Sequence, residues 1–157
     1  MSGARVAFTH EKCNSLSRYK LIAESFETSV PWTNILSLCK AVKEEVVAAC
    51  SEEGVVQPPF ISCRVTQVYD TGACVYFYLG FMWTGLTDPV GAFSAVEDRA
   101  RLKILECGGS LSHHHGVGKH RRKYMQAAVS DAGMHLLRGL KATVDPHNVF
   151  AAGNLNL

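Results

Sequence analysis

Nowhere in the 157 residues is there an apolar run long enough to cross a bilayer, which excludes a spanning helix. Residues 1–20 lack the apolar core of a secretory signal, so no export leader is expected. The six cysteines form no C-x-x-C pair, which argues against a zinc ribbon. A large charge of one sign is missing as well. The formal net charge is only +2, so composition announces neither a nucleic-acid nor a membrane partner. Internal repeats and low-complexity segments are absent, which excludes a solenoid or a linker-rich chain.

What is present is ordinary for a globular chain. Apolar residues make up 47% and charged residues 19%, enough for one domain around one core. Most of the cysteines (Cys13, Cys39, Cys50, Cys63, Cys74 and Cys107) fall at apolar-periodic positions, where the thiol packs as a small core side chain. Free thiols in a reducing compartment are the expectation, and a disulfide framework is the weaker alternative.

Periodicity then orders the chain. Lys20 to Thr28 predicts a short strand. Pro31 suits the first turn of a helix, whose apolar face is Trp32, Ile35, Leu36, Cys39, Val42, Val46 and Cys50. Glu52, Glu53 and Gly54 close that helix. Phe60–Tyr69 and Ala73–Trp83 are rich in aromatic and β-branched residues and flank Asp70-Thr71-Gly72, a hairpin signal. Setting Tyr69 opposite Ala73 pairs Val65 with Phe77, Cys63 with Leu79, Thr66 with Tyr76 and Arg64 with Tyr78. One face is then apolar and the other carries Tyr76, Tyr78, Arg64 and Thr66. Asp88-Pro89 starts a second helix with Phe93, Val96, Ala100 and Ile104 on its face, and Gly108-Gly109 ends it. Leu111 to His115 predicts a last short strand, with His113 and His115 on one side and His114 on the other. Tyr124–Val129 and Met134–Val144 predict helical segments, followed by a short turn capped by Asp145-Pro146.

The order from Lys20 to His115 is strand, helix, strand, strand, helix, strand. That is an α+β, ferredoxin-like pattern: an antiparallel sheet with helices on one face, here followed by a C-terminal helical tail. The expected divisions are 1–20, unassigned; 21–116, a cap-like α+β domain; and 117–157, the tail.

Three consecutive histidines, His113, His114 and His115, stand inside Ser110 to Lys119, between glycines and ahead of the basic run Lys119-His120-Arg121-Arg122-Lys123. Imidazole titrates near neutrality and is the commonest metal ligand, so the triplet is a candidate site. The bland alternative is a polar strand edge. A metal centre is disfavoured because no carboxylate or cysteine joins the triplet at a usual spacing. The basic run reads best as a solvated face at a helix start; attraction of a phosphate is the sharper alternative.

Several blocks together resemble the alkylglycerone-phosphate synthase (alkyl-dihydroxyacetonephosphate synthase) family. They are Glu24 to Trp32, Cys63 to Cys74, Tyr76-Phe77-Tyr78, Gly108 to Lys119, and Val144 to Phe150. The resemblance runs from about Glu24 to the end, and its broader relatives are flavoproteins of the vanillyl-alcohol-oxidase type. It implies the cap-type domain of FAD-linked oxidases. It also implies an ether-lipid enzyme that exchanges the acyl group of acyl-dihydroxyacetone phosphate for a long-chain fatty alcohol, with FAD used without net redox change. By the same resemblance Tyr76 is the acid/base, and His113, His114 and His115 line the active site. Arg64 and Tyr78 either orient Tyr76 or merely pair across the sheet.

The resemblance has gaps. Nothing in the chain is similar to the family's glycine-rich pyrophosphate loop, and the position of its substrate-phosphate arginine falls at Cys13, in a stretch that does not match. The chain is therefore expected to be the C-terminal part of such an enzyme, without the FAD-binding domain and unable alone to hold FAD or to turn over. A non-catalytic binding domain derived from that enzyme is the competing expectation. The resemblance further implies a peroxisomal setting, glycosomal in some protists, with peripheral membrane association of the full-length enzyme and no nucleic-acid partner. Leu155-Asn156-Leu157 is a poor Ser-Lys-Leu-type address.

Overall fold

Alternation of polar and apolar residues at the start of the chain produces a long strand. In the computed structural model, which describes residues 18–157, β1 spans Leu21–Pro31. It reaches three residues beyond the expected end, because Pro31, which lacks an N–H, closes the strand rather than opening the helix. A single 3-10 turn, Trp32–Asn34, leads into helix α1 (Ile35–Glu52). The buried stripe of α1 is Ile35, Leu38, Val42, Val46 and Ala49 with Cys50. Leu36 was expected on that face. It is 85% exposed, because it follows Ile35 by about 100° around the helix. Trp32 likewise leaves the helix face, and its indole N–H donates to the Tyr69 carbonyl at 3.0 Å. Cys13 lies outside the described residues.

Strands β2 (Phe60–Val68) and β3 (Gly72–Met82) form the expected hairpin, and the sheet order is β1-β3-β2, antiparallel throughout. The register differs from the expectation. At the loop Val68 faces Ala73, and beyond an irregularity at Thr66 the pairs are Val65–Val75, Arg64–Tyr76, Cys63–Phe77 and Ile61–Leu79. The extra residue is a β-bulge. It leaves the far pairs two residues from the expected ones, and a shift of two keeps every side chain on its face.

Helix α2 (Pro89–Glu106) begins as expected, with Asp88 Oδ1 accepting from Gly91 N at 2.9 Å. Phe93, Val96, Ala100 and Ile104 are all buried. Helices α1 and α2 cover one face of the sheet, and their apolar stripes meet Phe26, Val75, Phe77, Leu79 and Phe81. Phe26 and Phe77, paired in the register, stack with centroids 5.2 Å apart. The α+β class with helices on one face is borne out.

The fourth strand is not formed. After α2 the chain touches the free edge of β1 at one residue, where Ser110 N donates to Ser29 O at 2.8 Å. Gly109 makes that approach close enough. A Cβ there would lie 2.7 Å from both Ile104 Cγ2 and Thr28 Oγ1. Gly109→Ala is therefore expected to cost about 1–3 kcal/mol in a urea titration. Past Ser110 the backbone N–H groups of His113, His114 and His115 turn to the Glu27 carboxylate instead of the β1 carbonyls, so Leu111–His115 is a loop. The expected alternation of the three histidines is lost with the strand.

The tail forms helix α3 (Met125–Val144), broken at Ser130, whose φ of 67° is left-handed. That break lies between the two helical segments expected from the pattern. Leu111, Tyr124, Met125 and Met134 form a second small core. Asp145 accepts from the N–H groups of Val149 and Phe150, the turn expected at Asp145-Pro146. The five cysteines among the described residues are all free thiols. No helix among these residues is long and apolar enough to cross a membrane.

Candidate active site

Because side chains alternate along a strand, the face of the sheet away from the helices collects Glu27 and Ser29 from β1, Cys74, Tyr76 and Tyr78 from β3, and Arg64 from β2. The loop Ser112–His115 lies over this face. The structure thus brings Tyr76 and the triplet together. The Tyr76 hydroxyl is hydrogen-bonded to His115 Nε2, and the two rings meet edge to face at 5.2 Å. His114 packs on both neighbours, 5.6 Å from the Tyr76 ring and 4.8 Å from that of His115. His113 Nδ1 lies 2.8 Å from His114 Nδ1.

Arg64 and Tyr78 lie beside Tyr76 on this face. The Arg64 guanidinium lies 5.3 Å from the centre of the Tyr78 ring, and Tyr78 touches Tyr76 ring to ring at 5.7 Å. The Tyr76 hydroxyl shares its hydrogen bonds with His115 Nε2 and the Ser25 side chain.

Two residues at the site were not singled out in the sequence. Tyr69, at the hairpin tip, places its hydroxyl 2.7 Å from His113 Nε2. Beside this pair lies an open cleft of about 450 Å³, bordered by Ser29, Tyr69, Ser110 and His113. Glu27 is fully buried, and its carboxylate accepts from the Ser112 hydroxyl and from three consecutive backbone N–H groups. Nothing local marks it, since a glutamate in an alternating strand reads as solvent-facing.

Electrostatics follow from these contacts. Burial pushes the Glu27 carboxyl up, but the N–H groups of His115, His113 and His114 and the Ser112 hydroxyl together outweigh it and hold the pKa at about 2. The Tyr76 phenol is raised, by burial first and then by the Glu27 charge. Burial lowers the His115 imidazole, with the Glu27 charge opposing. Near neutrality the contact therefore joins a neutral phenol to a neutral imidazole.

Glu27, Cys74, His113 and His114 each offer a ligand atom within 4.8 Å of the others, so the fold supplies the carboxylate and thiol that the sequence spacing lacked. Both Glu27 oxygens are already committed to the loop, however, and His113 Nδ1 lies against His114 Nδ1. The basic run is the solvated face expected, with Lys119, His120, Arg122 and Lys123 exposed and only Arg121 half-buried. Arg121 donates to the Gly116 carbonyl, Arg122 to that of Gly153 at 2.9 Å, and Lys123 pairs with Asp98.

Residues 3–155 match the family described as FAD linked oxidases, C-terminal domain. The chain is 46% identical, over 98% of its length, to the alkyldihydroxyacetonephosphate synthase of Caenorhabditis elegans, of which it covers 26%. It is 31% identical to the synthase of Trypanosoma brucei brucei, with 85% of this chain and 21% of that one covered. A solved structure of an alkyldihydroxyacetonephosphate synthase has a similar fold, with a TM-score of 0.58 at 22% identity, over 85% of this chain and 20% of that one. The chain thus spans 26% or less of the length of these relatives.

Proposed function

From the premise that the chain belongs to the FAD linked oxidases through their C-terminal domain, we propose that it is the substrate-facing part of an alkylglycerone-phosphate synthase. In that role it serves the exchange of the acyl chain of acyl-dihydroxyacetone phosphate for a long-chain fatty alcohol. The observation that carries the proposal is the Tyr76 hydroxyl held against His115 Nε2 by two separate elements, strand β3 and the triplet loop. The similarity to synthases of two distant organisms supports it. The same proposal includes a peroxisomal setting, glycosomal in some protists.

The sheet face suits one part of FAD. Tyr76, Tyr78 and His114 offer adjoining ring surfaces against which a planar isoalloxazine can rest. Among the described residues no glycine-rich strand-to-helix turn is available to cradle a pyrophosphate, so that part is held by other chain. FAD, when bound, supplies covalent catalysis without net redox change.

The protein's own residues handle protons. Exchange requires a proton to leave the carbon beside the carbonyl, an acid to depart and an alcohol to enter, each within hydrogen-bond reach of a donor or acceptor. Tyr76 as a free tyrosinate is ruled out near neutrality, because its phenol is raised rather than lowered. The phenol instead donates to His115 Nε2 and, beside the hydrogen bond it accepts from the Ser25 side chain, keeps a lone pair for the substrate. When Tyr76 Oη takes a proton from substrate, its own proton passes to Nε2. Return of the proton reverses both transfers. His115, kept neutral by burial, is the acceptor that this relay needs. The cleft beside Tyr69 and His113 has the size of a small-molecule site and adjoins the relay.

The test compares the chain alone with the chain joined to a flavin-binding half. Alone, it is expected to show no flavin absorbance and no exchange. Joined, it should incorporate a labelled long-chain alcohol while releasing fatty acid. A joined form that binds FAD and exchanges nothing overturns the proposal, and tight FAD binding by the chain alone overturns its division of labour.

A further inference from the structure

Glu27 stands out because its burial is complete and yet its hydrogen-bond partners are one hydroxyl and three backbone N–H groups. Oε2 accepts from His113 N at 2.7 Å. Oε1 accepts from His115 N at 3.0 Å, from His114 N at 3.3 Å and from Ser112 Oγ at 2.8 Å. Successive N–H groups converging on one anion form a concave nest, an arrangement that fixes the backbone conformation around the charge. Here the anion belongs to the sheet and the nest to the loop.

Three facts connect this contact to chemistry. In the β1–β3 register Glu27 faces Tyr76, so one strand pair places both the carboxylate and the phenol. The three N–H groups bound are those of the triplet itself, so the carboxylate decides where each imidazole starts. Finally, Glu27 Oε1 lies 3.9 Å from His115 Nδ1, on the opposite side of the ring from the Tyr76 hydroxyl. Glu27 is poorly placed to take a substrate proton itself, because it is shut from solvent and its oxygens serve the loop.

We propose that Glu27 is the positioning residue of the Tyr76–His115 pair: by gathering the backbone N–H groups of His113, His114 and His115 onto its carboxylate, it sets His115 Nε2 against the Tyr76 hydroxyl. The proposal rests on the reading that this pair moves the protons of the exchange. The charged and titratable groups around His115 are Glu27 on β1, Tyr76 on β3, His114 in the loop, Arg101 on α2 and Arg121 after the loop. Of these, Glu27 opposes the lowering of the imidazole that burial imposes, while His114, Arg121 and Arg101 add to it.

Glu27→Gln is the test variant, because it keeps the shape, removes the charge and turns an amide NH₂ toward N–H donors. In the enzyme that carries this domain with its flavin half, kcat is expected to fall by about 10²-fold with KM little changed. In the chain alone, an NMR titration should find His115 charging at lower pH in Glu27→Gln than in the parent, with amide dispersion retained. Loss of fold would instead carry that titration up toward the ordinary 6.5 and collapse the amide dispersion, so the direction of the shift separates the two. Unchanged kcat together with an unchanged His115 titration overturns the proposal. Should Glu27→Gln fail to fold, Ser112→Ala removes one donor and leaves the backbone nest. It is expected to shift the His115 and Tyr76 ring resonances and lower kcat several-fold, and no change in either overturns the proposal. The two readings fail separately. Full activity of Tyr76→Phe removes the function whatever Glu27→Gln does, whereas an inactive Tyr76→Phe beside a normal Glu27→Gln removes only the role of Glu27.

Discussion

Tyr76→Phe in the flavin-bearing enzyme is expected to slow alkyl exchange by about 10²–10⁴-fold, the range for loss of a positioned acid–base group. The substitution deletes one oxygen. The ring keeps its contacts with Tyr78 at 5.7 Å, His114 at 5.6 Å and His115 at 5.2 Å, so the site keeps its shape while the relay loses its first member. Thermal stability should therefore stay close to that of the parent while kcat collapses. The pH profile adds a second reading. His115 must be neutral to accept the phenol proton, and burial lowers its pKa from the ordinary 6.5. Activity is expected to persist below pH 6.5 and to fall only as the imidazole finally charges. Unchanged kcat in Tyr76→Phe removes the phenol from the mechanism.

The neighbouring residue carries the opposite expectation. Phe77 points to the other face of β3, is 0% exposed and stacks on Phe26 with centroids 5.2 Å apart. Phe77→Ala removes most of a ring where α1, α2 and the sheet meet, and is expected to cost about 3–5 kcal/mol. Against a total stability of about 5–15 kcal/mol for a domain, that leaves a marginal protein. Urea denaturation measures it, and a loss below about 1 kcal/mol would mean that the helices do not close on this strand. Adjacent substitutions thus separate the two faces: one removes rate and keeps the fold, the other weakens the fold around an intact relay.

The parts of this structure that were readable in the chain are those set by local pattern. The stripe Val42, Val46 and the stripe Phe93, Val96, Ala100, Ile104 follow from helical spacing alone, and the Asp88 cap from the chemistry of one side chain. The hairpin and the polar setting of Tyr76 follow from alternation. The resemblance supplied a common site for Tyr76 and the triplet, and the structure brings those residues together. What escaped depends on contacts distant in sequence. The bulge at Thr66 changes which residue faces Tyr76, and a count from the loop cannot foresee it. The fourth strand fails because the loop N–H groups have a better acceptor in Glu27 than in the edge of β1. Glu27 in turn becomes buried only once that loop folds over it. Tyr69 shows the same limit: it reads as a hairpin-tip residue until His113 arrives beside it.

The pairing of Glu27 with Tyr76 across β1 and β3 also decides what a measurement of specific activity counts. Were β1 to slip by one residue, Phe26 or Thr28 would stand in place of Glu27 and the carboxylate would turn toward the helices. Such a slip would also pull Phe26 and Val30 out of the core and leave nothing to hold the triplet loop, so the register that secures the fold is the one that builds the site. Turnover of the flavin-bearing enzyme and the stability of this domain therefore report on one and the same strand pairing.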